Sequence, residues 1–178
     1  MLKPRLAVIS LGIVMMLPAP ASLLAQTVSN TQVAPLPSQI LTAKKVFIAN
    51  GGGGFDREIW SGDPSRTYNE FYAAIKSWGH YEIVGAPADA DLVFQIGIAS
   101  SPRIAGGEVF PWFQARLVLL DPKSNVLLWA RDEFIPEKPG LGMILKKNRD
   151  KEFSDAIGRI VADLKTLTSQ PPAANDPK

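Results

Sequence analysis

The sequence predicts an α/β (α+β) two-layer sandwich, a mixed sheet of about five strands with two helices on one face, in the order β α β β β β α. Two segments, Tyr68 to Trp78 and Phe153 to Leu167, carry apolar residues at spacings of three and four, the mark of amphipathic helices. Between and before them lie short runs of β-branched and aliphatic residues, several alternating with a period of two. Two amphipathic helices need a common apolar surface, and one face of a single sheet is the simplest that serves both.

Each element has its own warrant. Lys45 to Asn50 (KVFIAN) is apolar and β-branched, and Gly51 to Gly54 end it, which predicts a first strand at or next to the sheet centre. Asp63-Pro64 supplies an N-cap followed by proline at the first helical position, and Thr67 with Glu70 has the spacing of a capping box. Tyr68, Phe71, Tyr72, Ile75 and Trp78 then form an aromatic-rich face, and Gly79 supplies a left-handed stop. Tyr81 to Val84 is a short strand, so the first helix closes a βαβ unit.

Leu92 to Ala99 places Leu92, Phe94, Ile96 and Ile98 on one face. Ser100 to Pro111, rich in glycine and proline, reads as a loop. Two further strands follow, joined by Asp121-Pro122-Lys123-Ser124-Asn125, a short hairpin turn in which Asn125 can take positive φ. Phe113, Ala115, Leu117 and Leu119 share a face of the first, and Val126, Leu128, Ala130 and Phe134 one of the second. Pro136, Pro139, Gly140 and Gly142 break regular structure before the last helix, Asp150 to Leu167.

The flanks differ in kind. Lys3 and Arg5 precede an uncharged apolar run, Leu6 to Leu17, and the small-residue stretch Pro18 to Ala25, which is the layout of a secretory signal peptide over residues 1–25, cleaved after Ala21 or Ala25. The run is shorter than a bilayer span. Residues 26–42 read as a flexible linker, 43–169 as the folded domain and 170–178 as a disordered tail. The expected location is therefore periplasmic or secreted, with no transmembrane helix left after cleavage.

Composition excludes several chemistries. The 178 residues are 46% hydrophobic and 20% charged and contain no cysteine, which rules out disulfides, thiolate metal sites, a cysteine nucleophile and the acylated cysteine of a lipoprotein. The single histidine, His80, sits just past a helix C-terminus, where the dipole already favours it. Without Lys3 and Arg5 the chain has 17 basic and 17 acidic residues, so no electrostatic footprint for nucleic acid remains.

Several stretches together resemble known domains. They are Trp78-Gly79-His80-Tyr81-Glu82-Ile83-Val84, Ala88-Asp89-Ala90-Asp91-Leu92-Val93, Ala115 to Lys123 (ARLVLLDPK) and Val126-Leu127-Leu128-Trp129-Ala130, followed by a helix. The pattern resembles small bacterial envelope domains: a family of unknown function common in lipoproteins, the periplasmic domain of the curli-secretion channel, the lipoprotein activators of peptidoglycan synthases, and the amino-terminal domain of the Tol translocation protein. It covers roughly Lys44 to Leu167. The resemblance implies a non-enzymatic module that docks partners, with no cofactor and no catalytic residues to carry over. This chain departs from most of those relatives in lacking the acylated cysteine.

The expected function is that of an exported accessory module for an envelope protein partner, and the alternative is a carbohydrate or cell-wall binding protein using exposed aromatics. Trp60, in a polar loop, and Phe110 and Trp112, at a loop-strand junction, are candidate contact residues together with Arg103. Lys146, Lys147 and Arg149 form a basic cluster expected to precede the last helix and to suit an acidic surface. A hydrolase built on Asp89, Asp91 or His80 is the least favoured alternative, because these residues do not form converging catalytic roles. Asn50-Gly51-Gly52-Gly53-Gly54 lacks the Lys-Ser/Thr of a phosphate loop, Asp89 and Asp91 suit a turn, and Asp132 and Glu133 point to opposite faces of a strand. A buried Trp129 is expected, with a cost of about 3–5 kcal/mol on truncation to alanine.

Overall fold

The computed structural model describes residues 35–54, 59–105, 107–136 and 142–169. The expected signal peptide, most of the expected linker and the expected C-terminal tail lie outside these. The elements are α1 (Ser38–Thr42), β1 (Lys45–Gly53), α2 (Arg66–Trp78), β2 (Glu82–Ile83), β3 (Leu92–Ala105), β4 (Glu108–Leu120), β5 (Leu127–Phe134) and α3 (Gly142–Thr168). Their sheet order is β2-β1-β3-β4-β5, so β1 is next to the centre as expected. β1 runs parallel to both β2 and β3, and β3-β4-β5 is an antiparallel meander. The fold is the predicted two-layer sandwich.

The core lies between one sheet face and the helices. Val46, Ile48, Leu92, Phe94, Ile96, Ile98, Phe113, Ala115, Leu117 and Leu119 present that face, and Phe71, Ile75, Phe153, Ile157, Ile160 and Leu164 cover it from α2 and α3. Gly79 caps α2 in the left-handed region at φ 68°, and Asn125 turns the β4–β5 hairpin at φ 54°.

Several expectations are corrected. The segment expected to be linker contains α1, because Leu36 and Ile40, four residues apart, both pack on the core and Ile40 is 1% exposed. The start of α2 is Arg66, not Pro64. Asp63 instead makes a turn, its Oδ1 accepting from the Ser65 amide at 2.7 Å, and no capping box forms because Thr67 is buried and Glu70 pairs with Arg66 at 2.6 Å.

β1 does not end at Asn50. It continues through the glycines with a register shift between Asn50 and Gly52, and this closeness excludes side chains: a Cβ on Gly53 would lie 1.7 Å from the Ile98 carbonyl oxygen. The residues expected to share one face of β5 are divided between its two faces. Leu119 pairs with Trp129 but Leu120 pairs with Leu127, so Leu128 is an extra, bulged residue and the alternation slips by one. Leu128 and Trp129 both pack on the core, Arg131 and Glu133 face the helices with them, and Ala130, Asp132 and Phe134 face the other side.

Finally, α3 starts at Gly142 rather than Asp150, which places the basic cluster inside its first turns. Its core residues Phe153, Ile157, Ile160, Val161, Leu164 and Leu167 are all buried, as the spacing predicts.

Candidate functional site

Ser100 to Pro111 is not a loop. β3 and β4 pair without interruption from Val93↔Leu120 to Ala105↔Glu108, with Gly107 at φ 85° in the connecting turn. β1 accompanies β3 only as far as Ile98, and β5 accompanies β4 only from Gln114, so the outer part of the hairpin projects from the sheet as a two-stranded arm. Pro102 pairs with Pro111 across it. Two prolines can face one another only at a non-hydrogen-bonded pair, where amides point away from the partner strand, and in a ribbon with no further neighbour those outward amides are not needed.

The arm has two unlike sides. On the side that continues the core face stand Pro102, Ile104, Val109 and Pro111, where Ile104 is 75% exposed and Val109 66% exposed. On the other side Arg103 lies over the Trp112 ring at 4.5 Å, and Trp112 stacks on Phe134 of β5 at 4.1 Å. Trp112 thus stands between a β3 guanidinium and a β5 ring, one to each side of β4. Phe110 is placed by its backbone opposite Arg103.

Trp60 is not a contact residue. It is 2% exposed, 4.7 Å from Phe113 and 5.4 Å from Phe153, and so joins β4 to α3 within the core. The large ring in a polar loop is drawn inward because the core end at Phe113 would otherwise be open. Lys146 and Lys147 are exposed on the first turns of α3, and Arg149 is half-buried. α3 follows the end of β5 that borders the arm, so these bases and the arm occupy the same end of the molecule.

The remaining ionisable residues have structural partners. Asp91 accepts from the Lys44 and Lys45 amides, each at 2.8 Å, and these bonds hold its carboxyl below the ordinary range. His80 stacks on Trp78 at 4.7 Å, and Asp89 ends the 3-10 turn Pro87–Asp89. Asp132 is held bidentately by Arg116 at 2.6 and 2.7 Å, which lowers its pKa, while Glu133 binds Arg159 at 2.5 Å on the opposite face. Tyr81 is pushed up to about 12 by burial, against a smaller opposite effect of Thr168. Among the described residues no group of three or more His, Asp or Glu is placed to hold a metal.

Sequence reasoning missed Ile104, Val109 and Phe134. The signal was there for the first two: the Gly106-Gly107 pair is a sequence that favours a two-residue hairpin turn, and the β-branched Ile104 and Val109 stand two residues to either side of it.

No family model and no curated protein matches the chain. Among solved structures it is similar to a DUF330 protein from Xanthomonas campestris (14% identity, TM-score 0.46, 77% of this chain and 90% of that one). It is also similar to a hypothetical protein from Chlamydia trachomatis (10%, TM-score 0.46, 71% and 98%) and to a PelC dodecamer from Paraburkholderia phytofirmans (13%, TM-score 0.42, 68% and 87%). No described helix is long and apolar enough to cross a membrane.

Proposed function

We propose that the protein is an exported, non-catalytic binding module of the bacterial envelope that docks a protein partner with its β3–β4 arm. The observation that carries this reading is the projecting apolar strip, Pro102, Ile104, Val109 and Pro111, with Ile104 and Val109 open to water. Apolar side chains this exposed add nothing to the fold and gain from being covered. Lys146 and Lys147 at the same end favour a partner that presents an apolar ridge beside acidic residues.

A glycan platform is less well supported, because Trp60 is in the core and both sides of Trp112 are flanked. The test is site-specific photocrosslinking in the native envelope, with the crosslinker at Ile104, at Val109, and at Ala162 on the outer side of α3 as control. A protein adduct common to Ile104 and Val109, absent at Ala162 and weakened by Lys146→Glu with Lys147→Glu, is expected. Identical adducts at all three positions, or none, would overturn the proposal.

A further inference from the structure

The described helices all pack on one side of the sheet, and none of the described elements covers the other side. Its end away from the arm is mostly apolar: Phe47, Val93, Val118, Leu120, Leu127 and Ala130 point to it by register from four adjacent strands, and Leu127 is 56% exposed. An antiparallel face left to water ordinarily alternates to polar residues. Here the described charges on that face are balanced, three of each sign, and two pairs are already closed: Lys45 with Glu82 at 3.8 Å and Arg116 with Asp132 at 2.6 Å. Arg103 and Glu108 on the arm complete the set.

We infer that this face is the seam of a homodimer in which two copies stack sheet on sheet. Three observations select a second copy as occupant. The face is neutral, so it neither repels its own kind nor rewards a strongly charged partner. Its size suits a stable dimer: with strands about 4.8 Å apart and about 3.3 Å per residue, the face measures roughly 700 Å², close to the roughly 800 Å² per partner of a standard interface. It also carries a shape and its complement. A hollow of about 260 Å³, floored by Gly51, Gly52 and Gly97, lies beside the ridge formed by Arg103, Trp112 and Phe134. A two-fold contact needs both on one surface, because each copy must offer what the other receives. The hollow exists because the glycines are imposed by the close approach of β1 to β3, where a Cβ on Gly97 would lie 2.5 Å from the Gly52 oxygen. This inference is independent of the arm's proposed partner, since the apolar strip of the arm lies on the opposite side.

Sedimentation equilibrium of the purified chain is expected to show a dimer with a dissociation constant at or below about 10 μM, and Val118→Lys to weaken it at least tenfold with an unchanged circular dichroism spectrum. Because the chain has no native cysteine, single cysteines give a second readout that does not depend on the lysine variant folding. Among Gln95→Cys, Gln114→Cys and Ala130→Cys, at least one is expected to form an oxidised dimer, and Ala162→Cys on α3 none. A monomer at about 100 μM, or crosslinking by Ala162→Cys alone, would overturn the inference. So would a dimer lost in Ile104→Lys and kept in Val118→Lys, which would assign the contact to the arm.

Discussion

Asp91 and Lys45 are joined twice: the Lys45 amide donates to the Asp91 carboxylate at 2.8 Å, and the Asp91 amide donates to the Lys45 carbonyl at 2.8 Å. The same carboxylate also accepts from the Lys44 amide. One side chain therefore sets where β1 begins to pair with β3, and it does so with charge-assisted bonds to main-chain groups. Replacing it with alanine is expected to cost about 1–3 kcal/mol in urea unfolding at pH 7.

The pH dependence of that contribution has a definite sign. The carboxyl is held below its ordinary pKa by the Lys44 and Lys45 amides, so its stabilisation is complete above the unfolded value near about 4 and is lost as pH falls through the lower native value. Asp91→Asn should therefore unfold with a shallower acid limb than the parent, measured as the change in transition midpoint between about pH 5 and pH 2.5. Parallel acid limbs in the two proteins would refute this assignment.

Trp60 and Trp129 should separate in a truncation experiment. Trp60 touches Phe113 and Phe153 inside the core, and Trp60→Ala is expected to cost about 3–5 kcal/mol. Trp129, on the helix side of the edge strand, is only partly buried, and its truncation should cost less, about 1–3 kcal/mol. The larger loss at the residue in the polar loop is the outcome that the fold requires.

Arg66 is the polar hub of the helix layer. Its guanidinium binds Glu70 at 2.6 Å, Asp150 at 2.5 Å and the Ser61 carbonyl at 2.8 Å, and lies over the Phe153 ring at 4.5 Å. Burial opposes its charge and the two carboxylates outweigh that, so its pKa is raised. Arg66→Lys keeps the charge and loses the fork, and is expected to cost about 2–3 kcal/mol by thermal unfolding. A loss below about 0.5 kcal/mol would mean that a point charge suffices there.

The edge strand β5 depends on ion pairs where its neighbours have apolar contacts. On its helix side Arg131 binds Asp163 at 2.7 Å and Glu133 binds Arg159, whose Nη2 also donates to the Phe134 carbonyl at 3.0 Å. These groups are partly exposed, so salt screens them. In about 1 M NaCl the β5 amides should exchange hydrogen faster relative to those of β3, with global stability changed by less than about 1 kcal/mol. Uniform exchange across the sheet would show that β5 opens only with the whole domain.

The order of elements was legible in the sequence because each is defined over a few neighbouring residues. Phe71 and Ile75, or Phe153, Ile157 and Ile160, mark a helix face by spacing, and Gly79 and Asn125 mark turns by backbone conformation. The candidate site was legible in part: Arg103 and Trp112 come together on the arm, whereas Trp60 goes to the core and the arm itself was read as a loop.

Local sequence by itself determined which segments alternate, coil or turn, and that a cysteine-free chain must hold itself together by its core. What only the tertiary structure decided was facing and reach: that Leu128 bulges and divides the expected face of β5, that Trp60 closes the core, and that β3 and β4 run past their neighbours to expose Ile104 and Val109. These depend on which strand lies alongside and where it stops. A side chain's period does not record where its neighbour ends, so a proline-rich stretch reads the same whether it is a loop or a free ribbon.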